Sequence, residues 1–307
     1  MLKDVSGKVA VVTGGSSGIG RGIALALARA GMTVVVTGRT APHLDETAAV
    51  FAERGLAVHA MQVDVTDLAA MKAAADTVEQ RFGRIDVLVN NAGIGLTGPV
   101  MDATPSDWDW IIDVNIKGVG NGIQAFVPKI RAHGEGGAVV NTSSMAGLMP
   151  IVAGLYSMTK AAVIGLSEAL HIELLGEGIS VAAYCPGPTH SNIAAAVSNR
   201  PAQYGESGYA PPPPAFTEAA REQPYMSADE AGERVLAGIL RGDMFILTHP
   251  EFRAGVAERH ATIEAAFPDE PLDEPRGAAI PFLLSSPVYA EENRLPAPTA
   301  PASWVAP

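Results

Sequence analysis

The sequence has a single cysteine, Cys185, among its 307 residues. One cysteine cannot form an intramolecular disulfide, and no spacing of cysteine and histidine residues resembles a zinc site. The sequence also lacks a run of about 18 uncharged apolar residues, and its first residues lack the apolar segment of a secretory signal. We therefore expect a cytoplasmic protein that needs no metal and does not enter a membrane.

Positive charge is scarce as well. Lysine and arginine number 21 against 33 aspartate and glutamate residues, which gives a net charge of −12. Because a nucleic-acid backbone or an anionic membrane surface would be repelled overall, we expect neither as a partner. The hydrophobic share of 48% and the charged share of 18% suit one large α/β domain with a sizeable core.

Strand-like and helix-like patterns alternate along most of the chain. Short runs rich in β-branched residues predict strands at residues 8–13, 33–37, 57–62, 85–89, 137–142, 179–184 and 244–248. Helical patterns occupy residues 23–30, 42–54, 68–82, 106–131, 227–241 and 251–267, and a further helix begins near Tyr156. This alternation predicts an α/β fold, a single Rossmann-type domain with a doubly wound parallel sheet of seven strands over residues 1–250.

Two segments depart from the alternation. Residues 189–226 are rich in proline and glycine and contain Tyr204, Tyr209 and Phe216. They predict either a substrate lid with an aromatic lining or a surface excursion without contacts. Residues 251–307 are predicted to form a helix and an extended Pro-rich arm, with Trp304 and the apolar residues 280–284 as candidate anchors on this or a neighbouring subunit.

The first predicted strand ends in a glycine-rich turn before a helix. A strand, such a turn and a helix form a phosphate-binding unit, because small residues let the backbone approach a pyrophosphate. The first-turn N–H groups and the helix dipole also favour its charge. An ordinary glycine-rich turn is the alternative. The candidate residues are Gly14, Ser16, Ser17, Gly18, Ile19 and Gly20.

The end of the second predicted strand bears on the choice of cofactor. A carboxylate there would accept a hydrogen bond from a ribose 2′-hydroxyl and repel a 2′-phosphate. This chain has Gly38 and Arg39 instead. Space and a cation favour NADP(H), with NAD(H) as the second choice, unless Arg39 is an ordinary surface residue.

Polar residues follow three further predicted strands. Asp64 follows the third strand and either bonds an adenine amino group or caps the next helix. Residues 90–93 follow the fourth strand, where amides can tie neighbouring strands together and a glycine leaves room for a sugar. Ser143 and Ser144 follow the fifth strand. The carboxyl ends of strands are where open α/β sheets bind ligands.

Tyr156 and Lys160 lie four residues apart on a predicted helix, so their polar groups share one face. A free phenol titrates near pH ~10, and a nearby cation lowers its pKa. A tyrosine shifted in this way can serve as a general acid and base near neutral pH. The same spacing also occurs on helices that carry such a pair for solubility alone.

Together and in this order, the motifs resemble the classical branch of the short-chain dehydrogenase/reductase family over residues 7 to about 250. Each motif is weak by itself, but their order and spacing are specific. The matching residues are Thr13, Gly14, Gly15, Ser16, Ser17, Gly18, Ile19, Gly20, Asp64, Asn90, Asn91, Ala92, Gly93, Asn115, Ser143, Ser144, Tyr156, Lys160, Pro186 and Gly187.

The resemblance implies a sheet order of 3-2-1-4-5-6-7, a small-molecule substrate and a homodimer or homotetramer. It implies that Tyr156 is the acid/base, that Lys160 lowers its pKa and holds the nicotinamide ribose, and that Asn115 positions a water for proton relay. From its position alone, Asn115 is either exposed on the helix or bends it and bonds a water. The further cofactor-binding residues that the resemblance implies are Asp64, Val65, Asn91, Ala92, Gly93, Pro186, Gly187, Thr189 and Ser191.

The catalytic serine is where this chain departs from the family pattern. The family serine usually lies a fixed distance before the tyrosine and is the second of a pair; here the spacing selects Ser143 and the local pattern selects Ser144. We favour Ser144, because a strand end fixes side-chain direction whereas a loop can lose a residue. Ser191 stands where many members have a threonine that bonds the nicotinamide amide, and it retains the hydroxyl.

Residues 109–129, 192–194 and 200–205 are also similar to the aryl-alcohol Cα-dehydrogenases of lignin-dimer catabolism. That subgroup generally prefers NAD and carries an acid after the second strand, which this chain lacks. The similarity favours a hydrophobic secondary alcohol or its ketone as the substrate of an NADP(H)-dependent oxidoreductase. The competing hypotheses are a redox sensor that binds NADP(H) without turnover and an oligomeric scaffold.

Overall fold

The computed structural model describes residues 2–56 and 58–290, except for the side chains of residues 194, 214, 216 and 217. All neighbouring strands of its sheet are parallel, in the order β3-β2-β1-β4-β5-β6-β7, which confirms the predicted Rossmann-type architecture. The strands are β1 Val9–Thr13, β2 Thr33–Gly38, β3 Val58–Gln62, β4 Val87–Asn90, β5 Gly137–Thr142, β6 Ile179–Cys185 and β7 Phe245–Leu247.

Helices cover both faces of the sheet. One face packs against α1 (Gly18–Arg29), α2 (Ala41–Glu53) and α9 (Ala228–Arg241), and the other against α3 (Leu68–Phe82), α5 (Gly118–Ala132) and α7 (Gly154–Glu173). The remaining helices of the described residues are α4 (Pro105–Ile112), α6 (Met145–Leu148), α8 (Pro214–Glu222), α10 (Arg253–Glu264) and α11 (Glu274–Ala279).

The central strands are mostly apolar because both of their faces are covered, and their polar residues lie at the carboxyl ends. Every residue of β1 is buried, and its Val11 pairs with Val35 of β2 and Leu88 of β4. Parallel strands buried in this way carry continuous runs of β-branched residues, which is why the sequence pattern located them. Polar residues begin where these runs end, so they gather at the carboxyl edge of the sheet.

The helices α1 and α9 cross at very short distance. Gly22 of α1 faces Gly232 of α9, and a Cβ atom on Gly22 would collide with the backbone at Ala228. Only glycine permits backbones to approach in this way. The contact fixes α9, and with it the start of β7, against the helix that follows the glycine-rich turn.

The main difference from the predicted helices lies within residues 106–131. Instead of one helix, α4 is followed by a π-helical turn, Asp113–Lys117, and then by α5. The turn adds a residue to the helical path and contains Asn115, which is fully buried. The alternative that placed Asn115 on an exposed face is therefore wrong.

Residues 189–226, here called the lid segment, cross the carboxyl edge of the sheet. They contain three short 3₁₀ turns and α8, and a parallel bridge between Thr189 and Met226 joins their two ends. Tyr209 is buried, and its hydroxyl donates to the Pro99 carbonyl oxygen over 2.9 Å. The alternative of an excursion without contacts is therefore wrong. The side chain of Phe216 lies outside the described residues.

The chain after β7 forms a 3₁₀ turn, Pro250–Phe252, followed by α10 and α11. The helix predicted over residues 251–267 corresponds to α10, which is shorter at both ends. No residue of α10 or α11 is buried, and residues 280–284 expose apolar side chains. The Tyr289 hydroxyl donates to Glu168 of α7 over 2.5 Å. Trp304 lies outside the described residues, and the boundary at residue 250 stays a prediction.

Within the described part of the chain, none of the helices is both long and apolar enough to cross a membrane. The same residues contain no group of three or more histidine, cysteine, aspartate or glutamate side chains placed to hold a metal ion.

Candidate active site

A cavity of about 500 Å³ opens at the carboxyl edge of the sheet. It runs from the glycine-rich turn after β1, past the ends of β4 and β5, to the start of the lid segment. Most of the site residues predicted from the sequence meet in its wall: Gly14, Ser16, Ser17, Gly18, Ile19, Gly20, Arg39, Asp64, Val65, Asn91, Ala92, Gly93, Tyr156, Lys160, Pro186 and Ser191.

The glycine-rich turn is held against the end of β4 by reciprocal hydrogen bonds. Asn91 Nδ2 donates to the carbonyl oxygens of Thr13 and Gly14 at 3.1 and 3.2 Å. The Thr13 hydroxyl oxygen accepts from the N–H groups of Asn91 and Ala92. A Cβ atom on Gly14, whose φ is +62°, would lie 2.8 Å from the Ala92 Cα, so this approach requires glycine.

The start of α1 is available to a ligand. Ser17 precedes the helix in an extended conformation, and its side chain makes no capping hydrogen bond. The first-turn N–H groups therefore keep their donors for a group in the cavity, and the helix dipole favours an anion there. This arrangement fits the phosphates of a dinucleotide.

Lys160 lies buried between α7 and the end of β5. Its Nζ donates to the Thr142 carbonyl oxygen over 2.8 Å and lies 5.5 Å from the centre of the Tyr156 ring. Burial lowers the pKa of Lys160 to about 8. A Cβ atom on Gly93 would lie 3.4 Å from Nζ, so this glycine leaves the space beside the ammonium open.

The expected downward shift of the Tyr156 pKa is absent from this arrangement. Burial raises the pKa of Tyr156, and the hydrogen bond with Ser144 opposes this effect only in part. The physical reason is that the hydroxyl loses water, while the Lys160 ammonium points to the Thr142 carbonyl. The phenol is therefore protonated at neutral pH in the protein alone.

The two candidate serines at the end of β5 have different partners. The Ser143 hydroxyl is buried and donates to the Lys160 carbonyl oxygen over 2.6 Å. Ser144 caps the start of α6 by accepting from the Ala146 N–H over 3.1 Å, and it bonds the Tyr156 hydroxyl. The hydrogen bond therefore favours Ser144 as the serine beside the phenol, although Ser143, and not Ser144, lines the cavity.

Asn115 lies behind the cavity wall and holds it in place. Its Oδ1 accepts from the Ile94 N–H over 2.8 Å, and its Nδ2 donates to the Ile94 carbonyl oxygen and to the Thr159 hydroxyl. The amide thus ties the π-helical turn to the segment after β4 and to α7. Its role in a proton relay stays a prediction.

Three other predicted residues have partners that differ from the expected ones. The Asp64 carboxylate accepts from the backbone and hydroxyl of Thr66, whereas Asp67 caps α3, so the capping alternative for Asp64 is wrong. Thr189 donates to the Gly187 carbonyl oxygen, and neither of these two residues lines the cavity.

Arg39 reaches from the end of β2 to the lid segment. Its Nη2 donates to the Asn199 carbonyl oxygen over 2.7 Å. Thr40 and His43, which the sequence reasoning missed, lie beside it in the cavity wall, with the Thr40 hydroxyl 3.2 Å from the His43 Nδ1. The sequence signal that could have identified them is the threonine immediately before α2, because threonine is common at the start of a helix.

The far end of the cavity is apolar. Tyr156 packs against a buried cluster that includes Trp110 and Leu155. The residues of this end that the sequence reasoning did not single out are Ile94, Trp110, Val114, Ile193 and Ala196. Among the described residues, the indole N–H of Trp110 is buried without a hydrogen-bond partner.

A buried ion pair fastens the lid segment to α4. The Arg200 Nη1 lies 2.6 Å from Asp107 Oδ1, and the guanidinium stacks 5.0 Å from the Trp110 ring centre. Burial would raise the pKa of Asp107, but hydrogen bonds from Ser207, Gly208 and Thr104 lower it to about 2. Because Trp110 lines the cavity, the pair also supports its apolar wall.

The comparisons with known proteins cover most of the chain. Residues 8–202 match the family described as short chain dehydrogenase. The sequence is 37% identical over 282 residues to a C alpha-dehydrogenase of Sphingobium sp. (strain NBRC 103272 / SYK-6), covering 90% of this chain and 92% of that protein.

Solved structures agree with this similarity. The apo form of LigO from Sphingobium sp. strain SYK-6 matches with a TM-score of 0.75 and 33% identity over 96% of this chain and all (100%) of that chain. A short chain dehydrogenase/reductase from Burkholderia phymatum in complex with NAD matches with a TM-score of 0.78 and 32% identity, covering 89% of this chain and 100% of that one.

Asp107→Asn should release the lid segment. Loss of the charge leaves Arg200 buried without an anionic partner, which should lower the free energy of unfolding by about 3 kcal/mol and speed proteolysis within residues 200–210. Since the Asp107 pKa is about 2, its contribution is complete above the unfolded value of ~3.9 and is lost as pH falls towards 2. The measurements are denaturant unfolding and limited proteolysis at several pH values.

Asp109→Asn is the matched control, since Asp109 is exposed on the same helix. It should leave both measurements unchanged. Equal proteolysis of the two variants, or a difference in stability that persists unchanged down to pH ~2, would contradict the role of the ion pair.

Proposed function

Since this chain belongs to the short-chain dehydrogenase family, we propose that it transfers hydride between NADP(H) and a hydrophobic secondary alcohol or the corresponding ketone. Membership of the family makes it an NAD(P)-dependent oxidoreductase that acts on small molecules. The observation that carries the proposal is that Tyr156 and Lys160 line the cavity that begins at the glycine-rich turn, with Ser144 bonded to the Tyr156 side chain.

The cavity wall fits a dinucleotide. The open start of α1 and the close approach at Gly14 suit the pyrophosphate, and the space beside Gly93 suits the nicotinamide ribose within reach of Lys160. When bound, the nicotinamide ring supplies the acceptor or donor of the hydride. Pro186 and Ser191 line the same end of the cavity.

The preference for NADP(H) rests on the residues after β2. Only Nη2 of the Arg39 guanidinium is used by Asn199, and a guanidinium has five N–H groups, so donors remain for a 2′-phosphate. The Thr40 hydroxyl and the His43 ring lie beside it at the start of α2, where the helix dipole favours an anion. The Burkholderia phymatum relative was solved with NAD. The preference for NADP(H) is therefore proposed from the residues of this chain and not from that relative.

Tyr156 is the proposed acid and base. In oxidation its deprotonated oxygen accepts the proton of the substrate hydroxyl as hydride leaves the carbinol carbon, and in reduction its hydroxyl returns that proton. Ser144 donates a hydrogen bond to the substrate oxygen as negative charge develops there. Because burial raises the pKa of Tyr156, the protonated form prevails at neutral pH, which favours reduction of the ketone.

The apolar end of the cavity supports a hydrophobic substrate. Trp110, Val114 and Ile193 line it beside Tyr156, and burial of apolar substrate surface there would stabilise binding. The similarity to a C alpha-dehydrogenase points the same way. We propose an aryl or alicyclic secondary alcohol or ketone as the substrate class.

A homodimer or homotetramer in the cytoplasm is part of the proposal. The outer face of α7 is exposed and carries small or apolar residues, which a second copy could cover: Ala161, Ala162, Gly165, Ala169 and Ile172. A partner on this face would pack against the helix that carries Tyr156.

Tyr156→Phe should retain NADPH binding and lower kcat by about 10³-fold, because it removes only the proton-transferring oxygen. Ser144→Ala should lower kcat by about 10²-fold through loss of one donor to the developing oxyanion. The measurement is the absorbance of the reduced nicotinamide against a panel of aryl and alicyclic ketones and alcohols, with NADPH affinity followed by fluorescence.

Ser143→Ala is the matched control for the neighbouring serine. Its hydroxyl bonds the Lys160 carbonyl, so we expect kcat to stay within about tenfold of the wild type. Turnover that persists in Tyr156→Phe would overturn the assigned acid/base. Wild-type protein that binds NADPH but turns over no member of the panel would instead favour a sensor without turnover. A larger loss in Ser143→Ala than in Ser144→Ala would reverse the assignment of the serine.

Arg39→Asp should shift the preference towards NAD(H). The carboxylate repels a 2′-phosphate and accepts from a ribose hydroxyl, so the ratio of kcat/KM for NADP(H) to that for NAD(H) should fall by at least about tenfold. Steady-state kinetics with both cofactors measures this ratio. Arg54→Asp, at the exposed end of α2, is the control and should leave it unchanged; an unchanged ratio in Arg39→Asp would refute the role of Arg39.

A further inference from the structure

The turn of residues 186–188 follows β6 and closes one end of the cavity. Its Pro186 lines the cavity together with Lys160 and Ser191. Since proline has no N–H group, Gly187 supplies the only backbone donor of this Pro-Gly-Pro turn. The partner of that donor therefore has a large effect on how firmly the turn is held.

His249, at the carboxyl edge beyond β7, binds the turn through both ring nitrogens. The Gly187 N–H donates to Nδ1 over 3.2 Å, and Nε2 lies 3.2 Å from the Pro188 carbonyl oxygen. One imidazole thus contacts a donor and an acceptor of the same turn. Neither contact is local, because His249 is more than sixty residues away in the chain.

The same ring supports the root of the lid segment. The Pro188 carbonyl oxygen also accepts from the Met226 N–H over 3.1 Å, and the Met226 carbonyl oxygen accepts from the His190 N–H over 3.0 Å. The lid segment therefore leaves the sheet and returns to it beside the atom that His249 holds. A shift of the ring would move both the cavity wall at Pro186 and this junction.

The backbone partners determine the protonation of the ring. A backbone N–H can only donate, so Nδ1 must carry a lone pair towards Gly187; a carbonyl oxygen can only accept, so Nε2 must carry the proton. The Thr248 hydroxyl lies 2.8 Å from Nδ1 and shares that acceptor. His249 is thus the neutral Nε2–H tautomer. Protonation of Nδ1 would place two N–H groups against each other.

The packing around the ring is equally specific. A Cβ atom on Gly187 would lie 2.7 Å from the His249 Cγ and 2.8 Å from a Phe252 ring carbon, so the turn fits the ring only with glycine at this position. Phe252 stacks on the imidazole with ring centres 5.6 Å apart. The ring is therefore held between Gly187 and Phe252.

We propose that His249 is a positioning residue, which in its neutral form fixes the cavity turn and the root of the lid segment in the geometry that binds the nicotinamide cofactor. Its effect on the cofactor rests on the proposed function, whereas its hold on the lid segment does not. His249 touches neither substrate nor cofactor in this account and acts through residues 186–188.

The charges around the ring favour this state. Burial lowers the pKa of His249, and Arg234 of α9 acts in the same direction, whereas the Pro188 carbonyl oxygen, Glu251 and Glu230 oppose it. The neutral form is therefore present in full above the unfolded value of ~6.5, and it is lost as pH falls through the lower folded value. Cofactor binding should weaken over that acid range.

Two substitutions separate the hydrogen bonds from the shape of the ring. His249→Phe keeps a flat ring but removes both hydrogen bonds, and we expect the NADPH dissociation constant and KM to rise about tenfold with kcat changed less than about threefold. His249→Asn offers a carbonyl oxygen for Gly187 and cannot be protonated. It should bind within about threefold of the wild type and lose the acid-range weakening.

The experiment measures NADPH affinity by fluorescence between pH ~5 and ~8, and limited proteolysis of the lid segment without added cofactor. His260→Asn, an exposed histidine on α10, is the control and should keep the wild-type pH profile. We expect His249→Phe to speed proteolysis within residues 189–226, and His249→Asn to leave it near the wild-type rate.

The outcomes distinguish the two levels of the proposal. Wild-type protein that binds neither NADPH nor NADH would refute the proposed function, and the proteolysis rates would still decide whether His249 holds the lid segment. Wild-type affinity and proteolysis in His249→Phe would overturn the role of His249. An acid-range weakening that persists in His249→Asn would also overturn it, because another group would then be titrating.

Discussion

A buried, reciprocal pair of hydrogen bonds fixes the helix that carries Tyr156 against the sheet. Lys160 of α7 donates its Nζ to the Thr142 carbonyl oxygen at the end of β5, and the Ser143 hydroxyl donates to the Lys160 carbonyl oxygen. Both bonds are shielded from water, so breaking one would leave a buried polar group unpaired. Tyr156 lies one helical turn before Lys160, and its position beside Ser144 follows from this clamp.

The clamp also explains why burial governs the electrostatics of the site. The pKa of Tyr156 is raised and that of Lys160 is lowered to about 8, in both cases chiefly because water is excluded. The pair therefore begins with a protonated phenol and an ammonium whose charge is easily lost at mildly alkaline pH. Such a site suits Tyr156 as a proton donor at neutral pH. The Lys160 ammonium alone does not explain how Tyr156 would accept a proton.

Local sequence patterns could predict the strands, the glycine-rich turn and the Tyr156 and Lys160 pair, because each follows from neighbouring residues. The contacts that complete the site join residues far apart in the chain, such as Asp107 with Arg200 and Gly187 with His249. Hydrophobic periodicity carries no information about pairs so far apart in the chain, so the sequence reasoning missed them. Side-chain direction was equally hidden, because Ser143 and Ser144 are adjacent in the sequence. Only their placement at the end of β5 shows that Ser143 bonds the Lys160 carbonyl oxygen and that Ser144 bonds the Tyr156 hydroxyl.

The central claim is that the residues around Tyr156 promote hydride transfer between a nicotinamide cofactor and a carbinol carbon. The most direct measurement uses NADPH deuterated at the transferable position of C4, with an aryl ketone as substrate and the alcohol product analysed by mass spectrometry. The account predicts one deuterium on the carbinol carbon with wild-type protein, and only a trace of product with Tyr156→Phe. An alcohol product without deuterium, or equal labelled product from the two proteins, would contradict it.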